Sequence, residues 1–168
     1  ILFTDAGSRG AVVSPAAGKH GRRGGFGPKK EDICSMRYDI VMVTYNSEKW
    51  LRGCVEALAA LEYEKAQIHL VFADNASQDG TLALLERLRA QHPEFGGFTI
   101  VRGAKNAGFG AACNAGAKAG TAPYLLFFNV DTRIMPGALR EMDAAIAAHP
   151  AAGGWDMRHI PYLPVKYF

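Results

Sequence analysis

Apolar residues fall into four short runs, each followed by a stretch with helical spacing. The first run, residues 39–45 (Asp-Ile-Val-Met-Val-Thr-Tyr), is rich in β-branched side chains and predicts a buried strand. Asn46 and Ser47 are good helix-capping types, and Leu51, Cys54, Val55, Leu58 and Leu61 share one face of the helix that should follow. Residues 67–74 predict a second strand. Ser77 and Asp79 can cap a helix over 80–91 with Leu82, Leu85 and Leu88 inward, and Pro93 lies just past its end. A third strand over 98–102 precedes a small-residue helix over 108–118. The fourth strand, 124–129, is the most apolar and is expected inside the sheet. A helix over 137–148 uses Leu139, Met142 and Ile146 and stops before Pro150.

Four alternations of strand and helix, with strands that are continuous apolar runs, predict an α/β fold: a Rossmann-like, mostly parallel sheet with helices on both faces. In open sheets of this class a ligand lies outside the carboxyl ends of the strands. Those ends read Thr44-Tyr45-Asn46, Asp74-Asn75-Ala76-Ser77, Asn106-Ala-Gly108-Phe-Gly110 and Asn129-Val-Asp131. Singly, Asn46, Asn75 and Ser77 read as turn and cap residues. Polar groups on all four ends of one rim point to a site.

Asp131 follows five apolar residues, so its carboxylate is delivered by a buried strand and needs a cation or dense hydrogen bonding. Mg²⁺ and similar hard cations take one or two carboxylates plus substrate phosphate oxygens. Asn129, two residues back on the expected strand, would add a neutral oxygen or bind sugar hydroxyls on the same side. An ionised Asp74 accepts hydrogen bonds only, which suits the imide N–H of uracil or thymine; guanine also offers N–H groups.

The remaining arithmetic changes the picture little. The 168 residues are 49% apolar and 21% charged, as in ordinary one-domain proteins, and no apolar run approaches the length of a membrane span. The net charge of +3 resides wholly in residues 1–35, where six Lys/Arg face three acids. The rest is balanced, so no nucleic-acid groove is expected in the body. That first segment also holds seven of the nineteen glycines and no sustained period. It is expected to be a Gly-rich basic stretch, disordered or not native, with the folded part over 36–168 beginning at Met36. No signal peptide is expected. Cys34, Cys54 and Cys113 form no paired motif, which fits a reducing compartment.

Val-Thr-Tyr-Asn, Asp-Asn-Ala-Ser-Gln-Asp-Gly-Thr, Asn-Ala-Gly-Phe-Gly-Ala-Ala-Cys-Asn-Ala-Gly and Phe-Phe-Asn-Val-Asp-Thr, in this order and spacing, resemble the family 2 glycosyltransferases of GT-A fold over residues 38–150. The Asn-x-Gly-Phe-Gly and Asn-x-Asp forms, and more weakly Trp155-Asp-Met-Arg158-His-Ile-Pro161, are similar to the bacterial rhamnosyltransferase-like branch, with roles in polysaccharide and cell-wall biosynthesis. The resemblance implies that Thr44, Tyr45 and Asn46 line the nucleoside pocket and Asp74 reads the base. It places Asn106 and Gly108 beside the nucleotide and donor sugar. Asn129 and Asp131 would occupy the metal motif with Mg²⁺ or Mn²⁺, while Ser77, Asp79 and Gly80 shape the turn. Many members carry Asp where this chain has Asn129.

What the resemblance implies is a metal-assisted, inverting transfer from a nucleotide-diphosphate sugar to a glycan or lipid-linked acceptor, in the cytoplasm or at the inner face of the membrane. It places the general base beyond Phe168, so residues 36–168 are expected to be the truncated, nucleotide-sugar-binding portion, inactive alone. Two other readings compete. A non-catalytic nucleotide-binding module needs only the same pocket. An NAD(P)-binding oxidoreductase draws on Gly108-Phe-Gly110-Ala-Ala-Cys113, close to the G-x-G-x-x-G/A fingerprint. Its glycine pair starts five residues beyond the strand, its third position is Cys, and it sits in the third βα unit.

Overall fold

The computed structural model describes residues 2–4, 12–15 and 37–161. In chain order the elements are β1 (Leu2–Thr4), β2 (Val12–Pro15), β3 (Tyr38–Thr44), α1 (Glu48–Ala59) and β4 (Ile68–Asp74). They continue with α2 (Thr81–Gln91), β5 (Gly97–Arg102), α3 (Phe109–Ala119), β6 (Tyr124–Phe127) and β7 (Arg133–Ile134), and end with α4 (Ala138–Ala148), β8 (Trp155–Asp156) and β9 (His159–Pro161). A six-stranded sheet runs β5-β4-β3-β6-β2-β8, and a small second sheet runs β7-β1-β9. Strands β5, β4, β3 and β6 are mutually parallel, and β2 is antiparallel to both its neighbours. The α/β class, with a mostly parallel sheet and helices on both faces, is thus the observed one.

Side-chain alternation sorts β3 and β4 onto two faces. Tyr38, Ile40, Met42, Ile68, Leu70 and Phe72 join leucines of α1, α2 and α4 in one buried cluster. Against the opposite face lies α3, whose buried positions are the small Ala112 and Gly116. That explains its composition: small residues let the helix lie close on the sheet. On the same face a buried polar chain crosses three strands. Asp39 Oδ1 meets His69 Nδ1 at 2.7 Å, His69 Nε2 meets Thr99 Oγ1 at 2.8 Å, and the Ala122 N–H donates to Asp39 Oδ2 at 2.6 Å.

Three expectations need correction. In α2 the inward leucines are Leu84, Leu85 and Leu88, with Leu82 only partly buried, because the turn before Thr81 sets the helical phase. The fourth strand stops at Phe127, because Thr132 donates to the Asn129 carbonyl oxygen from both its N–H (3.1 Å) and its Oγ1 (2.6 Å) and closes a turn. Before Met36 no element was expected, yet β1 and the β-branched β2 pair with the body. The other residues of the 1–35 segment lie outside the described residues.

The amino ends of the strands are latched by one carboxylate. Asp143 Oδ1 accepts from Arg37 Nε at 2.7 Å and from the Tyr38 hydroxyl at 2.5 Å, and its Oδ2 accepts from the Tyr63 hydroxyl at 2.8 Å. Arg37 also lies over the Tyr38 and Tyr124 rings. Burial, and then the hydrogen bond to Asp143, push the hydroxyls of Tyr38 and Tyr63 well above the ordinary tyrosine range. The native state therefore holds these protons after the unfolded chain, near pH 10, has lost them. Their contribution is complete below that pH and is lost as pH rises towards the folded values. Chemical denaturation of the full chain should show stability falling from about pH 10 upward. Tyr38→Phe should be less stable at pH 7 by about 2 kcal/mol, through loss of a hydrogen bond to a charged acceptor, with a shallower alkaline decline. An unchanged alkaline slope would remove Tyr38 from this role.

Candidate functional site

The carboxyl ends of β3 and β4 are joined before they reach solvent. Thr44 and Asp74 are register partners, both nearly fully buried, and Thr44 Oγ1 donates to Asp74 Oδ1 at 2.9 Å. The same oxygen accepts from Ser77 Oγ at 2.5 Å, and Asp74 Oδ2 accepts from the Ser77 N–H at 3.0 Å. Three hydrogen bonds satisfy most of the carboxylate's roughly four lone-pair sites. Asp74 therefore fixes the turn after β4 as well as lining the space beside it.

The loops after β3 and β4 then bind each other. The Asn46 N–H donates to Ser77 Oγ at 2.9 Å, and Asn46 Oδ1 accepts from the Gln78 N–H at 2.8 Å. The Ser47 N–H donates to Thr81 Oγ1 at 2.8 Å. Asn46 and Ala76 hold left-handed backbone, φ 49° and 65°, a strain the cross-bonds sustain. Asp79 serves two helices, accepting from Glu48 N–H at the start of α1 and Thr81 N–H at the start of α2. Glu48 returns the contact through the Gly80 N–H. The Asn46 side chain is thus committed to the neighbouring loop, whereas the Tyr45 ring stands half exposed on the rim, at 48%.

On the β5 side, a cavity of about 210 Å³ opens between the ends of β4 and β5 and the start of α3. Asp74, Asn75, Arg102, Lys105 and several alanines, Ala104, Ala107 and Ala111 among them, line it. Gly103 permits the close approach of the β5–α3 loop: its N–H donates to Asp74 O at 2.7 Å, and a Cβ there would lie 2.8 Å from that oxygen. Asn75 and Asn106 tie the far end of the loop, with Asn75 Nδ2 donating to Asn106 Oδ1 at 2.8 Å. Gly108 follows at φ 89°, a conformation that favours glycine, and opens α3. In the sequence Asn75 reads as a turn residue. Its adjacency to Asp74 and the matching Asn106 were the available signals.

At the fourth strand end the burial alternates. Phe128, Val130, Thr132 and Ile134 are buried, Asn129 and Asp131 are intermediate, and Arg133 is exposed. The turn thus rests on an apolar bed, close enough to α1 that Asp131 acts on the buried Cys54 thiol. Burial first, then Asp131, pushes that thiol up to about 12. Among the described residues no group of three or more His, Cys, Asp or Glu is placed to hold a metal. One carboxylate with an amide beside it fits Mg²⁺ or Mn²⁺ only when phosphate oxygens complete the shell.

A model of the family described as Glycosyl transferase family 2 matches residues 39–161. The poly(ribitol-phosphate) beta-N-acetylglucosaminyltransferase TarS of Staphylococcus aureus is 27% identical over 115 residues, covering 68% of this chain and 19% of that protein. A poly(ribitol-phosphate) beta-glucosyltransferase of Bacillus spizizenii is 28% identical over 104 residues, covering 62% and 16%. The chain thus spans about a fifth of the length of the curated relatives it matches. A crystal structure of residues 1–349 of TarS in complex with UDP-GlcNAc superimposes with TM-score 0.62 at 27% identity, over 68% of this chain and 32% of that one. The mannosyltransferase of Pyrobaculum calidifontis in complex with GDP-Man and Mn²⁺, at 21% identity and TM-score 0.62 over 66% and 32% of the two chains, shares the fold.

The double role of Asp79 makes a stability prediction. Burial raises its carboxyl, but hydrogen bonds from Thr81 and from the Glu48 N–H together outweigh this and hold it below the usual aspartate range. Such a group adds stability above its unfolded value, near pH 4, and loses it as pH falls through the folded one. Asp79→Ala should destabilise the fold by about 1–2 kcal/mol at pH 7, as lost helix caps do. In urea titrations the difference from wild type should shrink below about pH 4. A difference that persists undiminished in acid would mean the charge is not what matters.

Proposed function

The chain belongs to glycosyl transferase family 2, and we propose that it forms the donor-binding part of an enzyme that moves a sugar from a nucleoside diphosphate sugar to an acceptor hydroxyl. The carrying observation is that the family match spans the whole rim on which Asp74, the cavity and the turn bearing Asp131 meet. In this reading the base enters the cavity and presents its imide N–H to the Asp74 carboxylate. Tyr45 offers a ring face to the nucleoside, while Thr44 and Asn46 act through the loops they hold. Asn106 and Gly108 border the donor from the α3 side. Asn129 and Asp131 face the diphosphate.

The reaction so read is a single displacement. An acceptor hydroxyl gives its proton to a general base on the acceptor side, its oxygen attacks the anomeric carbon, and the diphosphate leaves from the opposite face, inverting the centre. A divalent cation held by Asp131 and the donor's phosphates would supply charge neutralisation at the departing diphosphate. The relatives support a UDP-sugar donor and a polymer acceptor of the poly(ribitol phosphate) kind. The Asn106-Ala-Gly-Phe-Gly110 and Asn129-Val-Asp131 forms support the rhamnosyltransferase-like branch. Activated sugars are made in the cytosol, which supports action there or at the inner face of the membrane.

Two titrations test the reading. Uracil has an N–H where cytosine has a lone pair, so calorimetry should find UDP bound roughly 10- to 100-fold more tightly than CDP, the worth of a hydrogen bond to a charged group. Asp74→Ala should erase most of that preference. Equal affinities for UDP and CDP in the wild-type chain would return Asp74 to turn-making alone.

The second titration concerns Asp131. UDP should bind more tightly with Mg²⁺ or Mn²⁺ present, whereas uridine, without phosphates, should be indifferent to either ion. Asp131→Asn should abolish the metal-dependent gain and leave uridine binding within about twofold, because the base pocket lies apart from the turn. A mutant that keeps the full gain would take the metal away from Asp131.

A further inference from the structure

Resting on the donor-binding reading, we infer that Asn75 is a positioning residue for the nucleotide: its side chain acts as a clasp that holds the β5–α3 loop in its ligand-competent form. The clasp is built from one amide used at both ends. Asn75 Nδ2 donates to Asn106 Oδ1 at 2.8 Å, and Asn75 Oδ1 accepts from the Ala107 N–H at 2.9 Å. Asn106 Oδ1 also accepts from the Gly108 N–H at 3.0 Å, so the two amides together hold two consecutive backbone groups at the entrance to α3.

Burial is what gives the clasp leverage. Asn75 is only 6% exposed, and its backbone N–H is pinned to Thr44 O at 2.8 Å. Its side chain is therefore a fixed point, whereas residues 102–110 are all exposed and have little packing to order them. The near end of the loop is tied to Asp74 O through Gly103. Between these two ties lie Ala104 and Lys105, which line the cavity together with Ala107. Releasing the far tie would let this wall move while the strands beneath stayed in place. An aspartate at position 75 would still accept from Ala107 but would set a second oxygen against Asn106 Oδ1, so the amide is required for both bonds.

The test uses the full chain with UDP as probe, read by calorimetry beside backbone amide exchange. Asn75→Ala should weaken UDP about tenfold, the scale of ordering one or two loop groups on binding. Asn106→Ala, a change on an exposed loop that leaves the buried asparagine in place, should do the same. The double variant should be no weaker than the weaker single one, since both remove the same tie. Exchange should speed up at Ala107 and Gly108 and stay unchanged along β4, which a general loss of structure would not produce. If the wild-type chain binds UDP and both single variants bind it equally well, the clasp has no positioning role and the inference falls. If the wild-type chain does not bind UDP, the donor reading fails and takes the inference with it, whatever the exchange at Ala107 shows.

Discussion

A buried carboxylate at the end of a central parallel strand is the constraint on which the rim depends. Asp74 is 3% exposed at the last position of β4, and an ionised group there is tolerated only if hydrogen bonds replace its water. Thr44 supplies one from the adjacent strand, and Ser77 supplies two from the turn. Meeting that requirement fixes where the chain goes next. Ser77 is drawn back under Asp74, Ala76 is forced into left-handed backbone, and Ser77 Oγ is left facing the Asn46 N–H. The loops after β3 and β4 thus become one unit whose helices share Asp79 as a cap. Asn75, one residue from the constraint, inherits its rigidity.

The other end of the sheet answers the same problem with different groups. Asp143 gathers an arginine and two tyrosine hydroxyls where β3 begins, and Asp39 gathers His69 and the Ala122 N–H on the α3 face. Each carboxylate is satisfied inside the fold, which suits a role in holding elements together. The α3 face shows why space matters here. A helix of Ala and Gly lies close on β3 and β4, and this closeness brings the Gly103–Gly108 loop over the ends of the strands instead of out into solvent.

Most of the architecture was legible because its signals are redundant. In α1 the spacing of Leu51, Cys54, Val55 and Leu58 matches the buried face, and the continuous apolar strands implied a covered parallel sheet. The misses share a cause: each was decided by tertiary contacts that have no period. Leu84 rather than Leu82 faces inward because the turn through Asp79 and Gly80 sets the helix phase. The fourth strand ends at Phe127 because a threonine three residues past Asn129 closes a turn on it. At the site the residue types and the rim were readable, but the partners were not. The family resemblance implies that Thr44 and Asn46 line the pocket, and their side chains also bind the neighbouring strand and loop. Asn75 looks like a turn residue and is tied to a loop thirty-one positions away.

The two carboxylates on the rim differ in how deeply they sit, Asp74 buried and Asp131 only partly so. On the β3–β4 side the Asp74 carboxylate, the Thr44 and Ser77 hydroxyls and Asn46 Oδ1 all have internal partners, which makes that side rigid. The turn from Asn129 to Thr132 is built otherwise. Its apolar residues alternate into the core while Asn129 and Asp131 stay toward solvent, so the backbone is anchored without immersing the carboxylate. Burial first, and then the charge of Asp131, raises the thiol of Cys54 beneath the turn. A fixed, preorganised pocket suits recognition of a flat base whose charge does not change. In the proposed reading, a partly exposed carboxylate on a firm turn would suit a group whose charge grows during the reaction. Recognition and chemistry would, in that reading, divide between these strand ends according to how deeply each carboxylate is buried.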